Sequence, residues 1–286
     1  MNKSIIVKLL AGALIACSAF SVHAKTKEST MTISNKDKAI ALISSIETGD
    51  SAPVAYVNPN KYIQHNLAVA DGLAGFGAVL QALPKGSAKA QVKRAFQDGD
   101  FAVLHTEYDF FGPKAGFDIF RFEDGQIVEH WDNLQATAPA NASGRTQFDG
   151  ATEVTDLDQT AANKAIVADF VQTILINGDM SKINQFIDNG DKDYLQHNPM
   201  VADGLSGLGA ALGELAKQGM PMVFSKNHKI LGQGNFVLSV SEGTFLNKHV
   251  SFYDLFRLSK GKIVEHWDTI EEIPAQSEWK NSNGKF

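Results

Sequence analysis

Cysteine is nearly missing: Cys17 is the only one in 286 residues. That excludes a disulfide framework, a Cys-x-x-Cys redox pair and a thiolate metal cage. Positive charge is also short, with 26 Lys and Arg against 32 Asp and Glu and a formal charge of −6. A binder of phosphate backbones draws its affinity from clustered cations, so nucleic acid is not an expected partner. No apolar run reaches the roughly 18 to 20 residues of a stable membrane span. Neither His-x-His nor His-Glu-x-x-His spacing occurs, and no metal site is expected. What remains is a chain with 44% hydrophobic and 20% charged residues, able to bury a sizeable core and about twice the usual single-domain length.

The first residues read as an export signal. Lys3 and Lys8 precede a mostly apolar run from Leu9 to Phe20, and Val22-His23-Ala24 places small residues where a signal peptidase cuts. Cleavage after Ala24 would leave 24 cations against 32 acids, a charge of −8, on a periplasmic or secreted protein. In the alternative, Leu14-Ile15-Ala16-Cys17 is a lipoprotein box and Cys17 carries the anchor.

Beyond the signal the chain repeats itself. Tyr62-Ile63-Gln64-His65-Asn66 returns as Tyr194-Leu195-Gln196-His197-Asn198, and Ile127-Val128-Glu129-His130-Trp131-Asp132 returns as Ile263-Val264-Glu265-His266-Trp267-Asp268. Residues 62–77 match their counterparts at 11 of 16 positions, and residues 118–132 at 10 of 15. A period near 130 residues is too long for a solenoid unit, so each copy is expected to be a domain with its own core. The expected bounds are a signal over 1–24, domains over 34–138 and 161–274, a linker over 139–160 and a tail over 275–286.

Within a copy, helices come first. Ser34 with Asp37 forms a capping signal before Ile40, Ile43 and Ile46, and Ile166, Phe170 and Ile174 mark the same face in the second copy. Asp71 and Asp203 are read as caps of a further helix that carries Leu73, Phe76, Val79 and Leu80 in the first copy. The period then changes to two over Phe101–Tyr108, Phe117–Phe122 and Ile127–Asn133. Helices followed by an antiparallel meander make an α+β class, with helices packed on one face of a curved sheet.

The turn at Asp124-Gly125 decides whether a site exists. A three-residue loop with a G1 bulge opposes Phe122 to Gln126, Phe120 to Val128 and Asp118 to His130, so that Asp118, Phe120, Val128, His130 and Asp132 share a face. A plain two-residue turn would put His130 on the other face.

These elements together resemble the SnoaL-like polyketide cyclase group of the nuclear transport factor 2-like superfamily, in two tandem copies over roughly residues 36–136 and 163–272. The resemblance implies two cone-shaped α+β barrels, each with an apolar pocket at its open end, and it implies aldol-type acid/base chemistry on an aspartate without a cofactor. Carried onto this chain, the aspartate is Asp118 with His105 beside it, and His65 and Asn66 line the mouth. In the second copy Asp254, His197 and Asn198 match, but Val240 replaces His105, which places the fuller polar set in copy one.

The candidate catalytic residues are therefore Asp118, His105, His130, Asp254 and His266. The candidate ligand contacts are Tyr62, His65, Asn66, Trp131, Tyr194, His197, Asn198 and Trp267. A carboxyl in an apolar pocket is pushed towards the range where it can both take and return a proton. Structural readings stand beside these: Asp118 and Asp254 could tie a hairpin through His130 and His266, the tryptophans could pack at an interface, and Arg121 and Arg257 could make surface ion pairs. Two functions follow, an exported cyclase, isomerase or hydro-lyase acting on a small apolar or carbonyl-containing molecule, or a non-catalytic binding or assembly module. In either, the two halves are expected to pair through their sheets as an intramolecular pseudo-dimer.

Overall fold

The computed structural model describes residues 33–84, 86–188 and 193–286; the segment expected to be an export signal, with Cys17, lies outside the described residues. In the first copy, α1 (Asn35–Thr48) begins at Ser34, whose Oγ accepts from the Asp37 amide at 3.1 Å, and ends at Gly49 with φ 70°. The αL conformation that stops the helix is one glycine adopts without strain. Strand β1 (Ile63–Gln64), helix α2 (Gly72–Ala82) and strands β2 (Lys89–Asp98), β3 (Phe101–Asp109), β4 (Pro113–Glu123) and β5 (Gln126–Ala136) follow.

The second copy repeats the order with α3 (Thr160–Phe170), β6 (Leu195–Gln196), α4 (Gly204–Lys217), β7 (Val223–Gln233), β8 (Phe236–Phe245), β9 (Lys248–Ser259) and β10 (Lys262–Glu272). Helix α3 runs on into a π-helical segment, Val171–Ile176. The sheets are ordered β1-β5-β4-β3-β2 and β6-β10-β9-β8-β7, antiparallel except for the parallel pairs β1/β5 and β6/β10. Among the described residues no helix is long and apolar enough to cross a membrane.

Each sheet has an inner face towards its own helices and an outer face towards the other sheet. Inside the first copy, Ala39, Leu42 and Ile43 of α1 pack on Leu104, Phe120, Phe122 and Ile127. Val167, Phe170 and Ile174 do the same on Val237, Phe256 and Ile263 in the second. Between the sheets, Val103, Phe117, Ile119 and Trp131 form one apolar cluster with Leu238, Val240, Tyr253, Leu255 and Trp267. The two halves thus share a core.

The halves meet about an approximate two-fold. Asn133 of β5 donates to Thr269 O at 2.9 Å, and Thr269 Oγ1 of β10 donates back to Asn133 O at 3.4 Å. Gln135 Oε1 accepts from the Ile270 amide while its counterpart Glu271 accepts from the Leu134 amide. Arg94 of β2 crosses the junction, with its guanidinium 4.2 Å from the centre of the Trp267 ring, and Lys229 of β7 lies 4.3 Å from that of Trp131.

The segment expected to be a plain linker is a strap. Asn141 Nδ2 donates to Gln196 O at 2.7 Å and Val201 O at 2.9 Å, and Arg145 pairs with Asp203 at 2.9 Å. The C-terminal segment does the same for the other copy: Asn281 Nδ2 donates to Asn66 O and Val69 O, and Asn283 Nδ2 to Gln64 O. Each copy's trailing segment therefore ties down the Gln-His-Asn loop of its partner copy by supplying donors to its backbone carbonyls.

Candidate active site

The hairpin turn differs from the expected one, yet the shared face survives. Asp124 (φ 48°) and Gly125 (φ 75°) form a two-residue loop with Glu123 opposite Gln126, the signature of a type I′ turn. Left alone, that turn would send His130 to the outer face. A bulge at Val128 shifts the ladder by one residue, so the observed pairs are Phe122 with Ile127, Phe120 with His130 and Asp118 with Asp132. The second copy repeats the device at Lys260-Gly261 and Val264, which places Asp254 opposite Asp268 and Phe256 opposite His266.

The result is a trio on each inner face. In the second copy His266 Nε2 lies 3.1 Å from Asp254 Oδ1, His266 Nδ1 donates to Gln196 Oε1 at 3.0 Å, and Asn198 Nδ2 donates to Asp268 Oδ2 at 2.7 Å. In the first copy the same contacts join His130 to Asp118 (3.1 Å) and to Gln64 (3.1 Å), and Asn66 to Asp132 (2.6 Å). One donor atom from each of Asp254, His266 and Asp268 lies within 4.8 Å of the others, and likewise for Asp118, His130 and Asp132. Two carboxylates and an imidazole could hold a divalent cation. As they stand, however, the histidine nitrogen facing the trio is engaged with an aspartate, the arrangement of an acid/base pair.

The copies differ in what surrounds the trio. In the first, Tyr108 Oη donates to Asp118 Oδ2 at 2.6 Å, its ring buried in the inner core. Both oxygens of Asp118 are thereby committed. At the equivalent place in the second copy, two residues along β8 from Ser241, stands Gly243. A Cβ there would fall 1.9 Å from Val223 O and 3.0 Å from the Phe252 ring. The reciprocal change accompanies it, because Gly116 lies where Phe252 does, and a Cβ on Gly116 would meet the Tyr108 ring at 2.8 Å. The aromatic ring has moved one strand over and lost its hydroxyl. Asp254 Oδ2 and Asp268 Oδ1 are left buried with no hydrogen-bond partner.

They sit in the wall of a cavity of about 630 Å³. Its apolar lining includes Phe170, Ile174, Leu208, Leu212, Phe224, Val250, Phe252 and Phe256; Tyr194, Asn198, Asp254, His266 and Asp268 supply its polar side. Gln135 from the first copy also lines it, so the site draws on both halves. Met180, Met200 and Leu246, which line it too, are exposed.

Burial sets the electrostatics. It raises the Asp268 carboxyl from 3.8 to about 6, helped by the charge of Asp254 and opposed by His266 and Asn198. For His266 burial acts downward, but the hydrogen bond to Asp254 and the charges of Asp268 and Asp254 outweigh it and raise the imidazole. Asp118 is raised chiefly by burial, with His130 opposing.

A raised carboxyl costs the fold stability once it ionises, here about 3 kcal/mol for the change at Asp268. The loss sets in as pH rises from about 3.8 and is complete above about 6. Asp268→Asn is therefore expected to be about 3 kcal/mol more stable than the native protein at pH 8 and equal to it at pH 3.5, as read by urea unfolding.

Several expected site residues lie elsewhere. His105 pairs with Phe117, one residue out of phase with Asp118, and points to the outer face. There its Nδ1 accepts from Arg94 Nη1 at 3.1 Å, and burial together with the Arg94 charge holds it well below the usual histidine range. It cannot serve Asp118. Trp131 and Trp267 belong to the inter-sheet core, where His65 stacks on Trp131 and His197 on Trp267 at 4.6 and 4.7 Å between centroids. His65 and His197 bond to Glu129 and Glu265 at 2.9 Å, not to a pocket. Those acids also take Arg121 and Arg257.

Asp71 and Asp203 stand at helix starts without capping them; each instead accepts from the backbone amide of Gln64 or Gln196 at 2.9 Å. Tyr62, Asn66, Asp118 and His130, and in the second copy Tyr194, Asn198, Asp254 and His266, do lie on the inner faces. Sequence reasoning passed over Asp268, Gln196 and Tyr108. The first two were visible in the repeated motifs, the third as a mismatch between the copies.

No family model and no curated protein matches the chain. Solved structures do. An NTF2-like protein of unknown function from Cytophaga hutchinsonii ATCC 33406 is 16% identical, covering 37% of this chain and 94% of its own, with a TM-score of 0.33. IdmH, a putative polyketide cyclase from Streptomyces antibioticus, is 18% identical over 36% and 93%, with a TM-score of 0.32. A putative SnoaL-like polyketide cyclase from Jannaschia Sp. CCS1 is 15% identical over 35% and 85%, with a TM-score of 0.30. This chain is similar to NTF2-like and SnoaL-like structures, each over little more than a third of its length.

Proposed function

We propose that the second copy is a small-molecule site for proton transfer next to a carbonyl, of the aldol-type cyclase, isomerase or hydro-lyase kind, in an exported protein whose first copy serves as a closed scaffold. The observation that supports it is the asymmetry of one carboxylate: Asp254 Oδ2 has no partner beside a 630 Å³ cavity, whereas Asp118 Oδ2 is taken by Tyr108. Asp268, poised at about 6, can hold the complementary proton near neutral pH.

In this reading Asp254 takes the α-proton of a bound ketone. Asp268 or His266 gives a proton to its oxygen. The trio's atoms, within 4.8 Å of one another, are close enough for one ketone's α-carbon and oxygen to be served together. Apolar walls accept the body of the molecule and exclude water.

The reading is tested with 2-tetralone, an apolar bicyclic ketone, in D2O. Loss of its α-proton signal by NMR is expected to run faster with the full chain than in buffer. Binding without exchange would favour the non-catalytic module instead.

A further inference from the structure

The duplicated chain holds the same trio twice; Asp132 Oδ1 and Asp268 Oδ1 both lack a hydrogen-bond partner, and the copies differ at one oxygen, Asp118 Oδ2 having a donor that Asp254 Oδ2 lacks. In the first copy the missing partner is a neutral phenol, the Tyr108 hydroxyl, 2.6 Å from Asp118 Oδ2. In the second, Phe252 keeps an aromatic ring near Gly243 without a hydroxyl, and the matching oxygen, Asp254 Oδ2, is buried and unpartnered in a residue only 5% exposed. A buried carboxylate oxygen without a donor costs free energy that a ligand recovers by supplying one.

We infer that the ligand of the second pocket presents a neutral hydroxyl, a phenol or an enol, to Asp254 Oδ2 as Tyr108 does to Asp118. This rests on the proposed location of the site and names the chemistry of what enters it. At Asp254 Oδ2 a positively charged head is disfavoured, because His266 already brings its ring to Asp254 Oδ1 and the donor on the matching Asp118 Oδ2 is uncharged, the first copy's cation, Lys285, lying instead 3.8 Å from Asp132 Oδ1. The apolar part of the wall, with Phe170, Leu212 and Phe256, suits an apolar body for the molecule.

The test titrates the full chain with 2-naphthol, with its methyl ether and with 2-(aminomethyl)naphthalene, following heat by calorimetry. Naphthol is expected to bind about ten- to a hundredfold more tightly than the ether, the worth of one hydrogen bond to a charged acceptor. Asp254→Asn should erase that difference and Asp118→Asn should preserve it. A second readout needs no variant: naphthol held against a carboxylate loses its proton on excitation, so the bound form is expected to emit as naphtholate. Equal affinities for naphthol and ether, tighter binding of the amine, or no binding of any of the three would overturn the inference. A hydroxyl preference without turnover of 2-tetralone would instead sink the proposed chemistry and leave this inference standing.

Discussion

Replacing Asp254 by asparagine is expected to slow deuterium exchange into 2-tetralone at least about a hundredfold, the usual span for a lost general base, while Asp118→Asn leaves the rate within about twofold. The contrast follows from geometry, since the two aspartates share a strand position, a histidine at 3.1 Å and an opposing aspartate. They differ in the second carboxylate oxygen. Asp118 Oδ2 already accepts from Tyr108 and, at 3.5 Å, from Thr106. A base whose lone pairs are committed cannot reach a substrate carbon. Asparagine at 254 keeps the size of the side chain but can take no proton, so binding of 2-tetralone, which has no hydroxyl to offer, should change little while its exchange slows. Equal losses from both substitutions would contradict the division between a working and a closed copy.

The largest effect on stability is expected from Arg94→Ala, a loss of about 3 to 5 kcal/mol in urea unfolding, typical of breaking a buried charged network from one side. Arg94 is 3% exposed. Its Nε donates to Ala151 O at 2.6 Å, its Nη2 to Phe148 O at 3.1 Å and also to Asp149 O, and its Nη1 to His105. It thus joins the first sheet, the strap and, through the face of Trp267, the second sheet. Burial lowers its guanidinium to about 10, with Glu265 and Asp149 opposing, so it remains charged at neutral pH. Alanine would take the side-chain donor from the Ala151 and Phe148 carbonyls, while Asp149 O would keep Trp267 Nε1 at 2.9 Å. Lysine should not rescue it, because a point charge cannot meet a fork of acceptors. Lys229, the counterpart over Trp131, is expected to cost only about 1 kcal/mol on truncation, as its ammonium meets the ring face and the charge of Glu129 rather than a fork of acceptors. A loss below 1 kcal/mol for Arg94→Ala would show that the halves do not depend on this junction.

Much of this was legible in the residues. The internal repeat announces two related cores, and the Glu-His-Trp-Asp strand with its partner Asp-Ile-Phe-Arg brings histidine and aspartate together. The route to that face was not legible. The expected G1 loop and the observed type I′ turn with a bulge at Val128 reach the same parity by different means, because one inserted residue compensates for the other. Nothing about valine marks it as a bulge.

His105 was misplaced for a related reason. Alternation within β3 is clear, but its phase against β4 is set across the turn at residues 110–112, where Phe111 and Gly112 both have positive φ. The straps escaped notice because Asn-Ala-Ser-Gly and Asn-Ser-Asn-Gly are too short to stand out as repeats. The exchange of Tyr108 and Gly116 for Gly243 and Phe252 lies in the aligned sequence, but it acquires meaning only once both rings are seen over the facing glycine. Judged from residue types, the first copy looked richer; with the strands paired, the second holds the unpartnered base.

The central claim is one open site per chain, in the second copy. The most direct measurement is the stoichiometry of 2-naphthol on the full chain by calorimetry, with Leu212→Trp to fill the cavity from α4. One molecule per chain, lost in Leu212→Trp and kept in Asp118→Asn, is the predicted result. Two molecules per chain, or one that survives the filling of the cavity, would contradict it.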